Sequence, residues 1–224
     1  MRKRRDPESG AKLKEIEEAL EQVARGVGHL LYLDECDLHL LPVIRSMWMR
    51  RGQRVLVPTP GKNAKHAFFG ALEAWLKAHF QPRSGLFHWV DHDRKLAVNF
   101  LGFLTKLAET YSEGPLFLVL DGAPTHRAKV VKKWLLANPR VQLLFLPKYS
   151  AHESNPAERI WGLMKDGSAL PSKNAVAANR LAGNMGELVA KARQFFDHDL
   201  TSHPVKLPVG RLQDEAMPNL CLYA

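Results

Sequence analysis

Apolar residues recur at Leu13, Ile16, Leu20 and Val23, with lysine and glutamate between them, and the pattern stops at Gly26-Val27-Gly28. That 3–4 spacing predicts one amphipathic helix. His29-Leu30-Leu31-Tyr32-Leu33 is a short apolar run ending at Asp34-Glu35, and Arg54-Val55-Leu56-Val57, bounded by Pro58, reads as a second strand. Lys65 to Ala74 fits helix or strand, with His66-Ala67-Phe68-Phe69 favouring strand at its start. Phe87-His88-Trp89-Val90 reads as a further strand. Phe100, Phe103, Leu104 and Leu107 share one helical face and mark a helix from about Leu96 to Tyr111, closed by Gly114-Pro115.

Leu116-Phe117-Leu118-Val119-Leu120 is apolar at every position, the pattern of a strand covered on both faces. A helix is expected from about Thr125 to Ala137, then a strand at Val141 to Leu146 stopped by Pro147. Asn155-Pro156 opens a helix through Met164, and a last helix covers about Gly186 to Phe196. An antiparallel start followed by β-α-β crossovers gives an α/β fold, a mixed sheet flanked by helices. The organisation expected is an N-terminal basic and amphipathic helix over 1–28, a catalytic domain over 29–200 and an irregular, proline-bearing tail over 201–224.

Charge and cysteine content narrow the class. Lysine and arginine total 32 against 23 acidic residues, a net charge of +9. That excess favours a polyanionic partner, because neutralising phosphates releases condensed counterions. Cys36 and Cys221 are the two cysteines, without a partner motif, which argues against a disulfide framework or a cysteine-rich zinc site and suits a reducing cytosol. Apolar runs are too short to span a bilayer, and the basic Met1-Arg2-Lys3-Arg4-Arg5 is followed by no apolar stretch of a signal peptide. A cytoplasmic, nucleoid-associated protein with no membrane partner is expected.

Three carboxylates stand out by position: Asp34 after the first strand, Asp121 after the most apolar one, and Glu158 in the first turn of a helix. Acids at strand ends can converge, and converging carboxylates are costly unless cations neutralise them. All-oxygen donors suit Mg²⁺ or Mn²⁺, and two such ions about 4 Å apart can activate an attacking hydroxyl and stabilise the leaving oxygen in phosphoryl transfer. Each acid also has a plain reading. Asp34 lies in the acidic run Asp34-Glu35-Cys36-Asp37, and Asp121 heads the turn Asp121-Gly122-Ala123-Pro124. Asn155, Pro156 and Glu158 fall at N-cap, N1 and N3, which is capping-box spacing. Spacing alone leaves both readings open.

The stretch Leu118-Val119-Leu120-Asp121-Gly122-Ala123-Pro124-Thr125-His126 resembles the strand, Asp, short loop and His of the mariner superfamily of DDE transposases. Leu146-Pro147-Lys148-Tyr149-Ser150-Ala151-His152-Glu153-Ser154-Asn155-Pro156-Ala157-Glu158 resembles that family's "LPPYSPELNPIE" signature, and the spacing 158 − 121 = 37 is close to its short second interval. Upstream, Asp34-Glu35 and Trp48-Met49-Arg50-Arg51-Gly52-Gln53 resemble the "DE…W…RGQ" opening of its bacterial insertion-sequence branch. Ser150-Ala151-His152-Glu153-Ser154-Asn155 and Asp121-Gly122 depart from the usual wording but spare the acids.

The resemblance implies a ribonuclease-H-like fold, with Asp34, Asp121 and Glu158 as catalytic residues and ligands of Mg²⁺ or Mn²⁺, two ions being expected. The implied chemistry is DNA cleavage at element ends and strand transfer into target DNA at TA sites, by a homodimer assembled on DNA. Only 33 residues precede Asp34, too few for the family's paired helix-turn-helix domains. This points to half of a split element, with an upstream helix-turn-helix polypeptide as partner, or to a truncated remnant.

Arg159, Lys165 and His126 are candidate DNA contacts, each weighed against a solvated or structural role. His88, Asp91, His92 and Asp93 read as a polar turn rather than a metal cluster, and Trp48 and Trp161 as buried rather than base-stacking. Whether Glu35 or Asp37 joins the metal site stays open. The competing functions are a related ribonuclease-H-like nuclease or resolvase and an inactive DNA-binding remnant.

Overall fold

Helix α1 (Ser9–Ala24) forms where the spacing predicts it and buries Ile16, Ala19 and Leu20. Gly28 then turns the chain at φ +78, where an added Cβ would overlap the Pro115 carbonyl, and the His29 amide donates to that same carbonyl at 2.9 Å. This close approach starts β1 (His29–His39) beside β4 (Leu116–Leu120). The computed structural model describes residues 6–44, 50–53, 56–74, 87–148, 155–166, 176–177, 179 and 181–200.

Five strands form one sheet in the order β3-β2-β1-β4-β5, with β2 at Lys65–Glu73, β3 at Phe87–His92 and β5 at Val141–Phe145. β1, β2 and β3 pair antiparallel, whereas β4 and β5 run parallel to β1. Helix α2 (Ala97–Thr110) and α3 (Lys129–Ala137) lie on one face, over Leu31, Leu33, Phe69, Leu118 and Leu120. On the other face α1 covers Leu30, Tyr32, Phe117 and Val119. Helices α4 (Ala157–Asp166) and α5 (Met185–Gln194) join it there, packing on Cys36, Leu38 and Phe68. Both faces of β4 are therefore dry, which is why its sequence is apolar throughout.

Four expectations need correction. β1 does not stop at Leu33: β2 pairs with it as far as His39↔Lys65, so the ladder carries the chain through Asp34-Glu35-Cys36-Asp37. The run at 54–57 gives no strand at Leu56 or Val57; Leu56 is 88% exposed, and Arg54 and Val55 lie outside the described residues. The segment 125–137 is not one helix but a 3-10 turn, Pro124–Arg127, followed by α3, with Ala128 extended between them. His88, Asp91 and His92 lie within β3 rather than in a turn. The last helix continues as a π turn over Phe195–Asp199, and the tail 201–224, like the basic start 1–5 and Trp48, lies outside the described residues. Among the described residues no helix is long and apolar enough to cross a membrane.

Candidate active site

Strand parity sorts the acidic run. Side chains alternate across a strand, so Leu30, Tyr32, Asp34, Cys36 and Leu38 face α1 and α4, while Leu31, Leu33 and Glu35 face α2. β1 and β4 keep a constant offset of 87 from His29↔Leu116 to Tyr32↔Val119. Extending that offset by two residues sets Asp34 beside Asp121, at the carboxyl end of the parallel pair. Helix α4 is tied to the same place by Asn155, which is buried; its Nδ2 donates to the Leu33 carbonyl at 2.8 Å and its Oδ1 accepts the Ala157 amide at 3.1 Å. Asn155 thus starts the helix and fastens it to the strand one residue from Asp34, which brings Glu158 to the carboxylates.

Asp34 is held from the helix packed over its strand. Trp161, one turn after Glu158, donates its Nε1–H to Asp34 Oδ2 at 2.9 Å. The indole fits because Asp34 is paired across the ladder with Gly70, where a Cβ would stand 2.7 and 2.8 Å from Trp161 ring carbons and would also meet Phe87. The Asp34 carboxyl is pushed up to about 7, first by burial and then by the charges of Glu158 and Asp121, against the Glu35 amide and the Trp161 indole, which lower it.

Asp121 has the opposite electrostatics. His126 Nδ1–H donates to the Asp121 carbonyl at 3.1 Å and lies 3.2 Å from its Oδ1, the Ala123 amide donates to that Oδ1 at 3.0 Å, and the carboxyl lies below the ordinary value chiefly because of the histidine. Burial alone would lower His126, but Asp121 and Glu35 outweigh it and hold the imidazole at about 9. An open cleft of about 480 Å³ adjoins this group, lined by Asp34, Glu35, Cys36, Asp37, His39, Glu158, Trp161, Gly162 and Lys165. Among the described residues no three carboxylate, imidazole or thiol groups close on one point as metal ligands do. The donor set nevertheless suits a hard divalent cation: oxygen only, half-buried, and strained by mutual repulsion that a cation would relieve.

Each remaining candidate has a defined place. Arg159 is exposed on α4, and Lys165 lines the cleft beside Cys36. His126 is 5% exposed, with Glu35 and Asp121 on its two ring nitrogens. Asp37 pairs with Lys95 at 3.6 Å. Asp91 is engaged by His66 at 2.6 Å and by Arg193 at 2.8 Å. Sequence reasoning missed Gly70, although an isolated glycine inside an apolar strand is a known sign of close approach. It also missed that Asn155 joins α4 to β1, for which a single sequence carries no signal beyond the Asn-Pro pair.

Over residues 29–173 the chain matches the family described as DDE superfamily endonuclease. A protein of Shigella sonnei, the insertion element IS630 uncharacterized 39 kDa protein, is 29% identical over 194 residues. That alignment covers 86% of this chain and 51% of the relative, so the chain spans about half the length of the curated relative it matches. Among solved structures, a Mos1 transposase paired-end complex with left transposon end is similar at TM-score 0.54 and 14% identity, covering 88% of this chain and 57% of that one. A Mos1 mariner paired-end complex with Mn is similar at TM-score 0.55 and 14% identity, covering 86% and 56%. At such identities the likeness speaks for the fold, a mixed sheet flanked by helices of the ribonuclease-H-like kind.

Proposed function

Because the chain belongs to the DDE superfamily endonucleases, we propose that it is the catalytic domain of a transposase, in which Asp34, Asp121 and Glu158 hold divalent cations for DNA cleavage and strand transfer. The observation that carries this reading is the convergence of the acids: the β1–β4 register sets Asp34 beside Asp121, and Asn155 ties the start of α4, with Glu158 in its first turn, to the Leu33 carbonyl. A fold rarely keeps an acid in that position without a cation to offset it. Bound Mg²⁺ or Mn²⁺, two ions by the family pattern, supplies charge neutralisation at the attacking and leaving oxygens.

The chain's own residues do the positioning. Trp161 fixes the Asp34 carboxylate, and Asn155 fixes the start of α4 so that Glu158 faces the same cleft. Lys165 lines that cleft and Arg159 is exposed on the same helix; both would grip backbone phosphates, which position DNA without reading its sequence. Two displacements follow at phosphorus. Water first replaces the 3′ oxygen at an element end, and the freed 3′-hydroxyl then replaces a 3′ oxygen in target DNA, at TA by family habit. The domain would occupy 29–200, act as a homodimer on DNA, and draw end recognition from helix-turn-helix domains such as its longer relatives have room for.

The test is nicking of supercoiled plasmid in Mn²⁺. Wild type is expected to nick, and Asp121→Ala and Glu158→Ala to lose activity by a factor of about 10³ or more, as expected where neutralisation of transition-state charge is removed. Nicking by both variants at the wild-type rate would end the proposal, and nicking without any joining of precleaved ends would favour the related nuclease.

A further inference from the structure

Resting on the reading of Asp121 as a cation ligand, we propose that Glu35 and His126 are positioning residues, a buried strut that holds the Asp121 carboxylate in place. Asp121 is the first residue past β4 and sits in a loop, its side chain 49% exposed. Nothing in a loop of that kind fixes a carboxylate rotamer by packing. Here the fixing comes through the sheet. β1 turns Asp34 towards α4 and the next residue, Glu35, towards α2. Glu35 Oε1 accepts His126 Nε2–H at 2.9 Å. The opposite ring nitrogen, Nδ1, faces the Asp121 carbonyl at 3.1 Å and its Oδ1 at 3.2 Å.

The imidazole has no freedom to leave this line. Its ring centroid lies 4.4 Å from that of Phe100 on α2, and its backbone amide donates to the Ala123 carbonyl at 3.1 Å. Asp121 Oδ1 thereby accepts the Ala123 amide with the imidazole 3.2 Å away, its carbonyl is bonded to Nδ1, and no bond among the described residues engages Oδ2. That oxygen is left for a ligand. The neighbouring acids Asp34 and Glu35 therefore divide the work: both border the cleft, but Asp34 is turned to Trp161 on α4, and Glu35 reaches Asp121 through histidine. Glu35 spends Oε1 on the histidine, and His126, 5% exposed, is turned to the two acids. Oriented outer partners of metal ligands act in this way in many sites.

Two readouts on the full-length chain test the strut, one needing the cation and one not. The first is Mn²⁺ affinity, read from the loss of the free-ion electron paramagnetic signal during MnCl₂ titration. Glu35→Ala is expected to weaken binding roughly 10-fold, the lower end for loss of such a partner, while Glu35→Gln, whose amide oxygen still accepts from Nε2–H, stays near wild type. The second is amide hydrogen exchange at Ala123, whose N–H bonds the held oxygen; it should quicken in Glu35→Ala and not in Glu35→Gln.

Folded Glu35→Ala with wild-type Mn²⁺ affinity and wild-type exchange at Ala123 overturns the strut. Should Glu35→Ala not fold, Glu35→Asp keeps the charge but shortens the reach by one methylene; the same two shifts are expected, and wild-type values overturn the strut equally. If wild type binds no Mn²⁺, the cation reading of the site falls, and exchange at Ala123 alone decides whether Glu35 and His126 hold Asp121.

Discussion

Gly70 and Trp161 show how much of this site depends on one missing methyl group. The indole lies where a Cβ at position 70 would be and from there reaches Asp34. Gly70→Ala is expected to destabilise by about 1–3 kcal/mol, as overpacking does, and to displace the Asp34 partner with it. Trp161→Phe keeps the ring but deletes the N–H to a buried carboxylate, a loss of about 1.5–3 kcal/mol. Urea midpoints measure both, and unchanged midpoints would mean the pair is decorative. Asp34 itself runs against the usual carboxylate case. With a folded value of about 7 against the ordinary 3.8, the folded chain holds the proton more tightly than the unfolded one. Stability therefore falls as pH rises from about 4 to about 7 and stays reduced above that range. Asp34→Asn should consequently melt higher than wild type at pH 8, show no such gain at pH 4, and fail to nick DNA. A variant that melts lower at pH 8 would contradict the electrostatic account.

Among elements, the start of α1 is fastened to the approach of α4. Asp6, buried just ahead of α1, accepts Lys12 Nζ at 2.8 Å and the Lys148 amide at 2.9 Å, in the turn after β5. The lysine, then the amide, hold its carboxyl at about 2, below the ordinary 3.8. The sign is the common one: this contribution is present above about pH 4 and is lost as pH falls towards 2. Asp6→Asn should lower the melting temperature at pH 7 and leave it unchanged at pH 2; equal losses at both values would show the contact is not ionic.

Elements with a complete local pattern were legible in the sequence: α1 and α2 from their stripes, β4 from its unbroken apolar run. Where partners decide, legibility failed. Asp34 and Glu35 looked like the end of a strand, yet β2 carries the ladder past them, and the polar residues are tolerated because one faces the cleft and the other a histidine. Val57 and Leu56 looked like a strand by composition but have no ladder. Asp34, Asp121 and Glu158 are singled out by motif order, which reports chemistry; the residues packed around them, Trp161, Gly70 and His126, are set by contacts between positions far apart in sequence.

Over the whole molecule the charge is segregated as well as positive. From 122 to 148 the sequence holds Arg127, Lys129, Lys132, Lys133, Arg140 and Lys148 and no acidic residue. Arg127, Lys129, Lys132 and Lys133 are exposed beside the Asp121 loop, while Arg159 is exposed on α4 across the sheet edge. A duplex lying along that edge would meet cations from both faces. Replacing Lys132 and Lys133 by alanine is expected to weaken binding of nonspecific DNA and flatten its dependence on log salt by about 1.8, near 0.9 per lost phosphate contact. An unchanged slope in a salt titration would place the DNA elsewhere. The offset of 87 between β1 and β4 has a consequence in time rather than in space. β2 can pair with β1 early, but β4 must find it across a long stretch of chain, and non-local pairing of that kind slows folding. Asp34 and Asp121 thus meet only as that late step closes, when their repulsion would oppose it. Divalent cations should then act on the refolding rate as well as on the folded chain, hastening the last step by screening the two acids as they come together.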